Sequence, residues 1–217
     1  MIKKTIVLTF FCFYTLFSFS QDKNQNPDLM TLVKDLIKTE KTGQNMKQVW
    51  WLPNIYWEVA LKDSPLGSQG LIDEINSIFK DYSLFVILDA ELTAFSGINK
   101  NEISNLELKV NETTLKPLES YSDDIQGMIN ALRPMFSKML GEVGENIEFF
   151  VFDNSFENAI SPLKESQFSL NFNNSNFEYN LPLSSLVSEK ICPVDNKRHN
   201  GSWKYCPFHG ETLIQDN

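Results

Sequence analysis

Both histidines of this chain and two of its three cysteines fall in one short C-terminal run, Cys192-Pro193-Val194-Asp195-Asn196 … His199 … Lys204-Tyr205-Cys206-Pro207-Phe208-His209-Gly210. A segment that short has too little apolar surface to hold itself folded. Thiols and imidazoles gathered there point to a metal or covalent cross-link as the staple. The run carries one pattern twice: Cys-Pro, a spacer, a second ligand, and then a residue suited to a left-handed turn. Asp195 with Asn196 completes the first copy and His209 with Gly210 the second. This spacing lets a tight turn aim two side chains and several backbone N–H groups at one cation, while Gly, or less often Asn, relieves the positive φ that the turn demands. The stretch between Asp195 and Cys206 is long enough for a short hairpin that would bring the two turns together.

The spacing C-x2-D-x10-C-x2-H, with Lys204-x-Cys206-Pro207 leading into the second turn, resembles a two-knuckle zinc ribbon over residues 191 to 215. The resemblance implies one structural zinc ion held by Cys192, Asp195, Cys206 and His209. A ribbon usually has a second cysteine where this chain has Asp195, and a carboxylate is a harder, less common ligand for structural zinc. His199 is the alternative fourth ligand, which would leave Asp195 outside the ion, holding a turn or an imidazole. A disulfide between Cys192 and Cys206 is a competing reading, favoured outside the cytoplasm. It would close a loop of about 14 residues and contribute roughly 3 kcal/mol. Free thiols, or a ribbon whose metal has been traded for a cystine, complete the alternatives.

At the other end, Lys3 and Lys4 precede an uncharged apolar stretch from Thr5 to Phe19, and Ser18-Phe19-Ser20 offers a small-x-small cleavage site before Gln21. This reads as a secretory signal peptide over residues 1–20, its apolar part shorter than a spanning helix needs, with an uncleaved anchor as the alternative. Cys12 lies inside it, after residues too bulky for lipoprotein processing. Export to the periplasm, cell envelope or medium is therefore expected, with no membrane span after leader removal. The net charge of −9 becomes −11 once Lys3 and Lys4 leave, and such acidity argues against nucleic-acid partners and anionic lipid.

Residues 21–190 read as one α+β body. Leu29, Val33, Leu36 and Ile37 predict a helix from Pro27 to Lys41 ending at Gly43, and Pro53 starts a second that runs to Lys62. Leu71, Ile72, Ile75, Ile78 and Phe79 mark a third. The run from Tyr82 to Thr93 reads as a buried central strand, with further strands at Leu106 to Val110 and Ile147 to Phe152. Between them Ser122 caps a helix from Asp123 that Pro134 bends and Gly141 and Gly144 stop. Phe168 to Leu181, turning at Asn173-Asn174-Ser175-Asn176, is the clearest hairpin. Together these predict an antiparallel sheet or sandwich with helical insertions, plus a small hairpin tail over residues 191–217. Residues 46 to 215 are also similar to a group of exported bacterial proteins of no established activity. The likeness is carried by Trp50-Trp51-Leu52-Pro53 … Trp57-Glu58-Val59, Leu88-Asp89-Ala90-Glu91-Leu92, Met139-Leu140-Gly141 … Gly144-Glu145-Asn146 and the terminal ribbon, and it brings no mechanism with it.

Catalytic signals are sparse. Asp89 and Glu91 are two apart in a strand and would share a face, as an acid/base pair or calcium site needs; no third ligand accompanies them, and a solvated strand end is the plainer reading. Asp123-Asp124 suits a helix N-terminus. A serine nucleophile would need a histidine base, and both histidines belong to the tail; Cys206 and His209 would point at one centre rather than at a substrate. Asn111, Asn173 and Asn200 begin glycosylation sequons that read as chance matches behind a bacterial leader. Trp50, Trp51 and Trp57 invite a sugar-binding reading, although core packing explains them more simply. The sequence thus leads to an exported, non-enzymatic binding or structural protein with a zinc-stapled tail and a protein or glycan partner. The alternative is a hydrolase working through Asp89 and Glu91.

Overall fold

A computed structural model describes residues 27–62, 64, 67–93, 97–156 and 159–215. The expected leader, with Cys12, lies outside these residues. Helix α1 (Leu29–Leu36) begins at Asp28, whose carboxylate accepts the Thr31 N–H at 2.9 Å. It stops after two turns, and the chain passes directly into strand β1 (Ile37–Thr42), which pairs antiparallel with β2 (Asn45–Trp51). The helix expected from Pro27 to Lys41 is thus correct only in its first half. Leu32 and Leu36 are buried as the stripe requires, but Gly43, with φ 62°, turns a hairpin rather than capping a helix. The β-branched Ile37, Thr39 and Thr42 suit a strand once Val49-Trp50-Trp51 lies beside them.

The next elements are α2 (Asn54–Lys62), α3 (Gln69–Ile78), β3 (Tyr82–Leu92), β4 (Ile98–Lys100), β5 (Glu107–Val110), β6 (Thr113–Leu115), α4 (Asp123–Leu140) and α5 (Glu142–Glu145). They are followed by β7 (Glu148–Asp153), β8 (Ser166–Phe172), β9 (Ser175–Leu181), a 3-10 turn (Ser184–Leu186), β10 (Lys190–Ile191), β11 (Arg198–His199) and β12 (Ile214–Gln215). Strand β3 pairs with β2 along one edge; along the other it pairs with β7 through its first half and β4 through its last residues. A second sheet runs β6-β5-β8-β9, and all its pairings are antiparallel. The β8–β9 turn is the two residues Asn173-Asn174, both at positive φ (44° and 62°), as a tight hairpin matching strand twist requires.

The first sheet is the middle layer of three. Phe85 and Ile87 of β3 face the second sheet, in a core with Leu108, Phe168, Leu170 and Tyr179. Leu84, Val86, Leu88 and Ala90 face the helices, in a core with Trp57, Ile75, Ile129 and Phe136. Burial on both faces explains why β3 lacks the polar alternation of a half-exposed strand. The chain is α+β, with a β-sandwich backed by helices. Among the described residues no helix is long and apolar enough to cross a membrane.

Trp51 and Trp57 are core residues. Trp51 lies edge-on to Phe168 at 4.9 Å and stacks at 6.5 Å on Phe85, while half-buried Trp50 meets Phe136 edge-on at 5.3 Å. The tryptophan segment therefore packs the body. Tyr179 ties the layers further: burial pushes its phenol up, keeping it a donor, and its O–H donates to the Leu36 carbonyl at 3.0 Å.

Candidate functional site

The tail begins where β10 pairs antiparallel with both β11 and β12, a three-stranded sheet of two-residue strands. Two turns with the same hydrogen bonds lead out of it. The Cys192 N–H donates to Lys197 O at 2.9 Å and the Asn196 N–H returns to Cys192 O at 2.9 Å. In the second turn the Cys206 N–H donates to Glu211 O at 2.8 Å and the Gly210 N–H to Cys206 O at 2.9 Å. Asn196 and Gly210 occupy the left-handed region, at φ 56° and 72°, as the repeated sequence pattern predicts. The backbone N–H groups aim at sulfur rather than directly at a cation: those of Val194 and Asp195 at Cys192, and those of Phe208 and His209 at Cys206.

The five candidate ligands gather in two overlapping groups that share Cys192: Cys192, His199 and Cys206, and Cys192, Asp195 and His209. His209 Nδ1 lies 3.4 Å from Cys192 Sγ and 3.5 Å from Cys206 Sγ, and His199 Nε2 lies 3.6 Å from Cys206 Sγ. The ligand atoms of Cys192, His199 and Cys206 all fall within 4.8 Å of one another. Both cysteines are buried and free rather than joined. With Zn–S bonds of about 2.3 Å and Zn–N bonds of about 2.0–2.1 Å, a regular tetrahedron has S···N edges of about 3.5 Å. The three observed separations match that edge.

The thiols are electrostatically distinct. Burial pushes Cys192 up against its turn N–H donors. At Cys206 burial acts in the same direction but is outweighed by the N–H groups of Phe208 and His209, the His209 ring and the Cys192 thiol, so this thiol moves down, toward the thiolate a metal needs.

Asp195 and His199 are the two candidates for a fourth ligand of such an ion. A carboxylate oxygen of Asp195 lies within 4.8 Å of the ligand atoms of Cys192 and His209. That carboxylate is already engaged, accepting the Lys197 N–H at 3.1 Å and pairing with the Lys197 ammonium at 3.4 Å. The Lys197 N–H, the Cys192 thiol and the Lys197 charge together hold it below the usual carboxylate range. The His199 ring is instead braced by two aromatics, Trp203 at 6.1 Å and Phe208 at 5.9 Å between centroids. Nothing in the spacing pointed to these two braces, because their role depends on the hairpin bringing them beside an imidazole.

Asp89 and Glu91 stand in different settings: Asp89 is buried and Glu91 is exposed. Asp89 follows Phe85 and Ile87 on the inward face of β3 and is buried where the inter-sheet core ends. Its Oδ1 accepts from Asn101 Nδ2 at 2.9 Å and its Oδ2 from Asn173 Nδ2 at 2.8 Å, with the Lys47 ammonium 4.0 Å away. Lys47 also donates to Ser175 Oγ and the Asn173 carbonyl, each at 2.7 Å. A polar cleft of about 500 Å3 opens beside this network, and Glu91, exposed, is not among its lining residues. Asp89 thus ties the β8–β9 turn to β3. Asp89→Ala should cost roughly 2–3 kcal/mol by removing the acceptor of Asn101, one of two acceptors of the Asn173 amide and the carboxylate beside Lys47. A urea midpoint unchanged in that variant would show that the carboxylate has no structural work and would reopen it for chemistry.

Comparison of the chain with protein-family models, with curated proteins and with solved structures gives no match.

Proposed function

We propose that residues 190–215 bind one zinc ion through Cys192, His199, Cys206 and His209, with Asp195 outside the ion bracing the first turn. We further propose that this clip belongs to an exported, non-enzymatic binding protein whose partner is a protein or a glycan. The observation that carries the metal reading is the set of S···N separations, 3.4, 3.5 and 3.6 Å, at the length of a zinc tetrahedron's edge. Two thiolates would neutralise the ion, the turn N–H groups would stabilise them, and Lys197 would keep Asp195 paired. His199 is favoured over Asp195 because its ring is held at Cys206 and imidazole is the commoner partner of thiolate at structural zinc. The ion would serve as a folding staple, since both cysteines and both histidines are spent on it and no substrate position is left open.

A binding role for the body is supported by where its acidic residues go. Asp89 is committed to Asn101 and Asn173, and Glu91 does not line the cleft beside it, so the two carboxylates do not open on one cleft as a two-carboxylate hydrolase needs. Export rests on the Lys3-Lys4 head and apolar stretch of the leader.

Ligand variants test the metal set. His199→Ala is expected to weaken zinc binding by about 100-fold or more, and Asp195→Asn by about 10- to 100-fold at most, the range for a residue that orients ligands. Competition with a chromophoric chelator measures both. Near-normal affinity in His199→Ala with loss in Asp195→Asn would exchange the two roles.

A further inference from the structure

The fourth tryptophan, Trp203, differs from the other three. It is 44% exposed, yet its position is fixed: its carbonyl accepts from the Lys190 ammonium at 2.9 Å and its ring lies beside His199. It forms one wall of a groove of about 380 Å3 between tail and body. The backbones of the two parts meet there, because a Cβ on buried Gly201 would collide with the Ser188 carbonyl. Across from Trp203 and Ser202, the body contributes Lys38, Asn180, Asp35 and Ser184.

Some of these groups are committed and some are free. Asp35 accepts from the Ser184 hydroxyl at 2.9 Å and the Ser185 N–H at 2.8 Å, and so shapes the wall. Lys38 rests its ammonium over the Tyr179 ring, 5.2 Å from the centroid, and has no ion-pair partner among the described residues. Asn180 is exposed, and its side chain has no hydrogen-bond partner among them. The groove is therefore lined by an exposed tryptophan, an unpartnered amide and an ammonium without an ion pair, within a volume typical of small-ligand sites.

We infer that this groove binds a sugar residue of an oligosaccharide, with Trp203 as the stacking platform and Asn180 and Lys38 as hydrogen-bond donors to ring substituents. A pyranose has an apolar C–H face that an indole covers and a rim of hydroxyls that needs amide and ammonium partners. The inference rests on the binding-module reading above and gives the clip a task, since the metal that holds His199 would also hold the platform beside it. Zinc and sugar nevertheless report on different atoms, because the Trp203 side chain is not a ligand.

Isothermal titration of the full chain with a panel of soluble neutral, N-acetylated and uronic-acid oligosaccharides of four to six units tests this, with zinc content measured on every sample. Saturable binding of at least one probe is expected. Asn180→Ala, placed on the body side, should weaken it severalfold with zinc unchanged, and Trp203→Ala should weaken it by about tenfold or more when zinc is held in excess, so that loss of the ring beside His199 does not empty the clip. No binding by any probe, or binding that survives Trp203→Ala, overturns the inference while leaving a normal zinc content to stand for the clip. Loss of zinc from the parent chain would count against the clip instead.

Discussion

Phe85→Ala is expected to remove about 3–5 kcal/mol of folding free energy, a large share of the 5–15 kcal/mol typical of a native domain. Phe85 is fully buried on the central strand. Its ring meets Phe152 edge-on at 5.6 Å and Phe168 at 6.1 Å, and stacks on Trp51 at 6.5 Å. These partners come from three other strands of the two sheets, so truncation leaves a cavity that no single side chain can swing in to fill. Urea unfolding followed by tryptophan fluorescence would report the effect as a large drop in midpoint with little change in slope. A loss below about 1 kcal/mol would mean that the two sheets do not close over this ring, and the sandwich core would be misplaced.

Cys206→Ser should have a comparably large but local effect. Its thiol faces both histidines, with His209 at 3.5 Å and His199 at 3.6 Å, so replacing it removes a proposed ligand from the middle of the cluster. Structural zinc supplies apparent binding free energies of about 10–16 kcal/mol in small zinc-finger peptides. The tail has little else to hold it: its own buried cluster is Cys192, Cys206 and Leu213. Limited proteolysis should therefore clip residues 191–217 from the variant while the body, with two extensive cores of its own, survives. Melting of the whole chain would show that the tail is part of the body's core and that the boundary near Lys190 is wrong.

The parts of this architecture that could be read from residue order are those set locally or by burial on two faces. Strand β3 was legible because a strand covered by a sheet and by helices has no polar side to show. The α4 helix was legible from its Ser122 cap, whose hydroxyl accepts the Ile125 N–H at 3.4 Å, and from Gly141 at its end. Both left-handed turn positions, Asn196 and Gly210, followed from the repeated Cys-Pro pattern. The α1–β1 junction was not legible: Leu36 and Ile37 extend one helical stripe without a break, and only pairing with β2 decides that Ile37 starts a strand. Strands β4 and β6, three residues each, are too short to show a period. Asp89 was found by its parity on β3, but its partners Asn101 and Asn173 lie 12 and 84 residues away. Trp203 passed unnoticed because exposure beside a tail–body groove leaves no mark in the order of residues.

Cys192 and Cys206 are proposed to hold a metal and not each other. Intact-mass measurement of the purified chain from Gln21 onward, which lacks Cys12, under native and then denaturing non-reducing conditions, decides it. The native mass should exceed that of the bare chain by one zinc ion less two protons, and the denatured chain should return to the fully reduced mass with two thiols open to alkylation. A native mass without metal, together with a denatured mass short by two hydrogens and no alkylation, would establish a Cys192–Cys206 disulfide and contradict the account.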